Sequence, residues 1–330
     1  MFHETVEKLY DTIDSMAMLL VEHANLTYLE ALCGVTDNIV SVDVLQAVET
    51  EIEIVLYSSV KKIRDINFTA EEIRKAMQLA LLKGLKADYI PLDVMTPDGV
   101  ALIVGYIISK LVTSINRKSV ADFVCGTGNL LTAVLGTLQK KPAAIYGADV
   151  DYQMLELAKM MAAIQDYEIQ FYHQSSAHRM AVPKVDVIIG DLPLETYVDD
   201  DEDATTAKLI ADGCNFLPYL LVKNHIDYLT AGGYGIYIIG NDFFSHEYAK
   251  KFHEILTCSA QIGMLLQLPT EMFKDSSKQK SVLVIRKHSK DSKNVTEMFI
   301  ANFPNSGNIR EFRKMLTKME EWIILNKWCT

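Results

Sequence analysis

Residues 122–129 read Asp-Phe-Val-Cys-Gly-Thr-Gly-Asn, which sets a Gly-x-Gly turn between an apolar run at 120–124 and a segment apolar at helical spacing, Leu130, Leu131, Val134, Leu135 and Leu138. Such a turn can be a plain tight connection. It can also do chemistry, because Gly126 and Gly128 allow positive φ and carry no Cβ, so a nucleotide-like ligand can lie against the backbone and meet the helix's first free N–H groups. A second apolar run, 144–148, ends on Asp149, roughly 20 residues after the loop, where an acid can accept hydrogen bonds from a ribose diol. The dinucleotide fingerprint wants a third glycine where this chain has Leu131. The pattern therefore departs from nicotinamide and flavin sites, and S-adenosylmethionine is the better candidate.

The elements that must hold these residues follow from periodicity. Residues 1–90 read as helices only: Val6, Leu9, Tyr10, Ile13, Met16, Ala17 and Leu20 keep a three-and-four spacing, and similar patterns run through 44–63 and 73–85. Thr69 ahead of Glu72 is a capping box for the last of these, and 34–38 reads as a turn between the first and second. Pro91, Pro97 and Gly99 mark the passage into a second domain, 91–330. There, strands are expected at 120–124, 144–148, 169–172, 185–189, 235–239, 260–266, 281–285 and 298–302. Several are almost wholly apolar, as strands covered on both faces must be, and helices separate the early ones. The expected fold class is α/β, a doubly wound and mostly parallel sheet behind an all-helical N-terminal domain. Little helix separates the last strands, so an antiparallel edge is expected.

Composition narrows the function classes. At 330 residues and 49% hydrophobic content the chain can bury one large core and a second, smaller one. A net charge of −11 opposes a broad electrostatic grip on nucleic acid but leaves room for a local basic groove. Five scattered cysteines, odd in number and without Cys-x-x-Cys, indicate neither a disulfide framework nor a zinc knuckle and fit a reducing compartment. No secretory signal is evident at the N-terminus, and the longest apolar stretch, 100–108, is far too short to span a membrane. A cytoplasmic location is expected. His246 and His253 lie seven apart on an expected helix, a spacing that does not suit the zinc-protease pattern, and no metal site is expected. Cytosine-C5 methylation is excluded because the chain has no Pro-Cys dipeptide.

Three stretches, Asp122-Phe-Val-Cys-Gly-Thr-Gly-Asn-Leu-Leu, Gly147-Ala-Asp-Val-Asp and Asp186-Val-Ile-Ile-Gly-Asp-Leu-Pro-Leu, resemble in order and spacing the class I S-adenosylmethionine-dependent methyltransferases. The resemblance is closest to the adenine-specific DNA-methylase branch, which also has Thr-Pro ahead of the glycine loop, matched by Thr96-Pro97, and a late Leu-Pro then Phe, matched by Leu268-Pro269 and Phe273. With the helical N-terminal part, the whole looks akin to type I restriction–modification methylation subunits without their DNA-recognition domains. The fold implied is a Rossmann-like methyltransferase sheet. The resemblance covers roughly residues 90–300.

The resemblance implies S-adenosylmethionine as cofactor, held by Thr96, Asp122, Cys125, Gly126, Gly128, Asp149, Val150, Ser175 and Asp191. Asp122 and the glycines would take the methionine part and Asp149 the ribose hydroxyls, groups that need hydrogen-bond acceptors. For Thr96-Pro97 a helix N-cap followed by proline is the competing reading, for Asp151 a plain N-cap is preferred, and Cys125 also reads as a small loop residue. After the third strand the family offers an acid to the adenine amine, whereas this chain has His173-Gln174-Ser175-Ser176. Catalysis is implied at Asp191, Leu192 and Pro193: in adenine-modifying relatives a polar side chain and a backbone carbonyl orient the acceptor amine, and an aromatic residue stacks on a flipped base. Here Leu192 and Leu194 stand at the first proline and the aromatic position, and Tyr197 could supply a ring. The acceptor is then an adenine in nucleic acid or another amine. The acidic run 199–203 could line the entrance, act as a gate or be a solvated loop. A helical module could form a homodimer or close over substrate. Two rivals stand beside the enzyme: a scaffold that keeps the fold without catalysis, and a nucleotide-dependent oxidoreductase, which Leu131 disfavours.

Overall fold

The computed structural model describes residues 2–194, 216–273, 279–290, 297–305 and 307–329. Tyr197, the acidic run 199–203 and Cys214 lie outside the described residues. In chain order the helices are α1 (Phe2–Ala24), α2 (Tyr28–Ser41), α3 (Thr50–Asp65), α4 (Ala70–Ala87), α5 (Asp98–Leu111), α6 (Asn129–Thr137), α7 (Tyr152–Ile164), α8 (Leu217–Tyr228), α9 (Ala249–Ser259) and α10 (Ile309–Leu325). The strands are β1 (Ser119–Asp122), β2 (Ala144–Asp149), β3 (Gln170–His173), β4 (Val185–Asp191), β5 (Leu229–Gly240), β6 (Ala260–Gln267), β7 (Lys280–Lys287) and β8 (Phe299–Asn302). Contacts divide the chain into two compact units.

One unit comprises Met1–Met95, Gly126–Gly136 and Asp151–Ile169. Its core joins the apolar stripe of α1 (Leu9, Ile13, Leu20) to Leu29 of α2, Leu81 of α4 and, from far along the chain, Leu157 and Met161 of α7. Helix starts follow from local chemistry. Thr27 with Glu30 and Thr69 with Glu72 form reciprocal capping boxes, and the Asp151 carboxylate caps α7 by accepting from the Met154 N–H at 3.1 Å. The expected turn at 34–38 is corrected, since those residues lie inside α2. Gly34 sits there under Leu20 and Gln46, and Asn38 accepts from the Leu45 N–H at 2.9 Å while donating to Gln46 at 2.7 Å. The turn-forming residues thus serve the connection between α2 and α3.

The second unit comprises Thr96–Cys125, Thr137–Val150 and Gln170–Thr330 and carries an eight-stranded sheet of order β3-β2-β1-β4-β5-β7-β6-β8 among the described residues. All eight expected strands are present. The chain winds from β1 outward to β3 and then returns to the other side of β1 with β4, so the direction of winding reverses between β1 and β4. In open α/β sheets this is where crevices form at the carboxyl ends of strands. At the opposite end the Asp186 carboxylate accepts from the Ser119 N–H and hydroxyl, both at 3.0 Å, which fixes the register of β1 on β4. The expected antiparallel edge is corrected: the reversed strand is β7, which lies between β5 and β6, while edge strand β8 runs parallel to β6. The helix through both His246 and His253 is also corrected. α9 begins at Ala249, and His246 stacks on Phe216 with ring centroids 4.4 Å apart.

Candidate active site

β1, β2 and β4 end on Asp122, Asp149 and Asp191, three carboxylates at one end of three adjacent strands. Asp122 is fully buried at 1% exposure. Its Oδ1 accepts from the Val124 N–H at 3.1 Å, and its Oδ2 has no hydrogen-bond partner among the described residues. Burial holds the Asp122 carboxyl well above the usual carboxylate range; the Val124 N–H opposes that shift, and the like charges of Asp149 and Asp191 add to it. A buried acceptor left this way is costly unless something donates to it.

Asp149 is half-buried, and its carbonyl receives the Gln174 N–H at 3.1 Å. Val150 is exposed, and its carbonyl accepts from His173 Nε2 at 2.9 Å. Ser175 is half-buried, its carbonyl accepting from the His178 N–H at 3.2 Å. Cys125 is buried and donates its N–H to the Ala148 carbonyl at 3.0 Å. Burial, with Asp122 and Asp149 nearby, pushes its thiol far above the ordinary range, so it stays protonated. Within the helical unit, Gly126 and Gly128 take φ of +50° and +75°, and a Cβ at 128 would lie 3.1 Å from Ala158 Cα. Both positions need glycine.

The β4 end differs. Asp191 Oδ2 accepts from the Thr96 hydroxyl at 2.9 Å, and Oδ1 accepts from Lys280 Nζ at 2.5 Å, with both members of this ion pair only 14% exposed. Thr96 is therefore not the N-cap of α5. Pro97 occupies that position without a side-chain cap, and the Thr96 hydroxyl is turned to Asp191 instead. Leu192 is buried and donates its N–H to the Ile238 carbonyl at 2.9 Å, Pro193 is half-buried and Leu194 is 45% exposed. The Leu268-Pro269 stretch leads into a single 3-10 turn, Thr270–Met272, with Met272 3.3 Å from where a Cβ on Gly99 would stand, so it flanks the start of α5. Lys280 escaped the sequence reading. It opens an apolar strand 89 positions from Asp191, and no local pattern marks it.

The donor set fits S-adenosylmethionine. S-adenosylmethionine carries an α-ammonium and a ribose diol, both hydrogen-bond donors, and Asp122 Oδ2, buried and unpartnered among the described residues, and the Asp149 carboxylate can accept from them. No group of three or more histidine, cysteine, aspartate or glutamate side chains able to hold a metal occurs among the described residues. No described helix is long and apolar enough to cross a membrane.

Comparison with known proteins adds two family matches. Residues 7–85 match the YtxK N-terminal helical domain, and residues 93–329 match N-6 DNA methylase. The uncharacterized protein YtxK of Bacillus subtilis (strain 168) is 30% identical over 320 residues, covering 96% of this chain and 97% of that one. A Listeria monocytogenes protein of known structure, provisionally assigned to the class I S-adenosylmethionine-dependent methyltransferases, superposes with a TM-score of 0.85 at 31% identity, covering 97% of this chain and 99% of that one. The methyltransferase subunit of a type I restriction–modification system from Streptococcus thermophilus shares the fold at a TM-score of 0.58 and 12% identity, over 99% of this chain and 78% of that subunit.

Proposed function

The chain belongs to the N-6 DNA methylase family, and from that premise we propose that it is a cytoplasmic S-adenosylmethionine-dependent methyltransferase acting on an uncharged amine. The observation that carries the reading is the buried Asp122 carboxylate at the sheet's switch point, with one oxygen unpartnered among the described residues. When bound, S-adenosylmethionine supplies an electrophilic methyl group. Asp122 would receive its ammonium and Asp149 its ribose hydroxyls, with Cys125, Val150 and Ser175 at the neighbouring strand ends and Gly126 and Gly128 shaping the loop that follows.

Asp191 would orient the acceptor. An ionised carboxylate has about four acceptor sites, and Thr96 and Lys280 take two, so capacity for an amine N–H remains. Lys280 neutralises the charge of Asp191, which removes the attraction for an alkylammonium. That favours a neutral amine such as the exocyclic amine of adenine, with the Leu192 carbonyl as second acceptor and Pro193 stiffening the loop. Titration calorimetry with S-adenosylmethionine tests the cofactor, and labelled-methyl transfer to adenine-containing DNA tests the acceptor. Binding with transfer that disappears in Asp191→Ala supports the enzyme. Absence of binding by the intact chain would overturn the reading.

A second reading, a cofactor-binding scaffold without catalysis, draws on the same ion pair: both oxygens of Asp191 are already engaged, and Leu192 and Leu194 stand beside it. Cofactor binding with no label transferred to DNA or to any lysate component decides for it. A homodimer through the helical part belongs to either reading, and a light-scattering mass near that of one chain would remove it.

A further inference from the structure

We propose that Arg74, on α4 of the N-terminal helices, is a positioning residue for the glycine loop and acts through Asn129. Its side chain is only 3% exposed. One edge of the guanidinium is spent on its own helix, with Nε and Nη2 donating to the two Glu71 oxygens at 2.7 and 2.8 Å. The remaining edge reaches across the fold: Nη1 donates to Asn129 Oδ1 at 3.4 Å, and Gln78 Nε2, one turn further along α4, donates to the same oxygen at 3.4 Å. Asn129 is 1% exposed, opens α6 and follows Gly126-Thr127-Gly128 directly.

A buried guanidinium must be met by acceptors on its fork, and its planar geometry fixes where they stand. Each 3.4 Å contact is long, but two donors from one rigid helix converge on a single oxygen, which locates the residue that ends the loop. The loop is confined on other sides as well. The Cβ position of Gly126 lies 3.5 Å from the Val94 carbonyl and that of Gly128 lies 3.1 Å from Ala158. Two left-handed glycines on either side of Thr127 cost backbone entropy to order, and an anchor on the residue after Gly128 offsets it. The N-terminal helices thus template the cofactor loop, a role different from dimerisation or substrate closure. Its consequence for cofactor affinity rests on the reading proposed above, whereas the anchoring itself does not.

Amide hydrogen exchange on the full chain, read by mass spectrometry with and without S-adenosylmethionine, tests this. Arg74→Met and Asn129→Ala should each speed exchange at 125–132 by at least about tenfold while α1 changes little, and should weaken S-adenosylmethionine by a similar factor. Asn129→Asp, which keeps an acceptor oxygen, should rescue both to within about threefold. Met77→Ala serves as comparator, because Met77 is a fully buried apolar residue of the same helix with no polar group to donate to Asn129, and it should loosen the helices broadly rather than the loop. Unchanged exchange at 125–132 in Arg74→Met, or a pattern indistinguishable from Met77→Ala, overturns the proposal. If the wild type fails to bind S-adenosylmethionine, the cofactor reading falls while the exchange pattern still decides the clamp.

Discussion

Asp122 and Asp191 end neighbouring parallel strands of one sheet, yet one is buried with an oxygen unpartnered among the described residues and the other is pinned by a hydroxyl and an ammonium. The same side chain therefore carries opposite electrostatic assignments. Burial pushes the Asp122 carboxyl well above the usual carboxylate range, whereas Asp191 is paired with Lys280 within the fold. On the proposed function the contrast would separate a site for a charged cofactor from one for an uncharged acceptor, and each half can be tested by substitution.

The largest effect is expected at Lys280. Lys280→Met strips Asp191 of its buried countercharge and should cost about 3 kcal/mol in denaturant unfolding, while Lys280→Met with Asp191→Leu should recover most of it. If the single variant is as stable as wild type, Asp191 is not pinned and the contrast dissolves. Next comes Asp122→Ala, which should weaken S-adenosylmethionine about 10- to 100-fold in calorimetry, the worth of a hydrogen bond to a charged group. The unliganded protein supplies the complementary sign. A carboxyl whose folded pKa is raised stabilises below its unfolded value, near 3.9, and that contribution is lost as pH rises through the folded value. Asp122→Asn should therefore melt higher than wild type at neutral pH. A lower melting temperature would show that the carboxylate is already compensated.

Any pH profile must first be corrected for His225, which packs its ring 5.6 Å from that of Phe123, the residue after Asp122. Burial depresses His225 to about 3, so the folded protein holds it neutral. Stability should fall as pH drops from about 6.5 toward that value, by at most ~1.4 kcal/mol per pH unit, and His225→Leu should flatten the slope. The smallest effect is Thr96→Val, about 1 kcal/mol from one hydrogen bond to Asp191, seen as a small shift in the unfolding midpoint.

Much of the fold was legible because its signals are local. The strands announce themselves as apolar runs, Asp151 and Thr69 sit where a helix start needs an acceptor, and the glycines at 126 and 128 mark a turn whose φ values are indeed positive. Local reading failed where a distant partner outweighed propensity. Gly34 and Asn38 look like a turn, but a glycine inside a helix costs only about 1 kcal/mol, and packing under Leu20 and Gln46 offsets it. Likewise Thr96-Pro97 has the pattern of a cap, yet the hydroxyl finds a carboxylate 95 positions away. For the candidate site, composition and order were enough to locate the carboxylates and the loop, since each lies at a strand end that periodicity can find. Their pairing was not readable, because Lys280 on Asp191 and Arg74 behind Asn129 join residues 89 and 55 positions apart. A charge's partner is set by through-space distance and burial, and neither is written in the neighbouring letters of the chain.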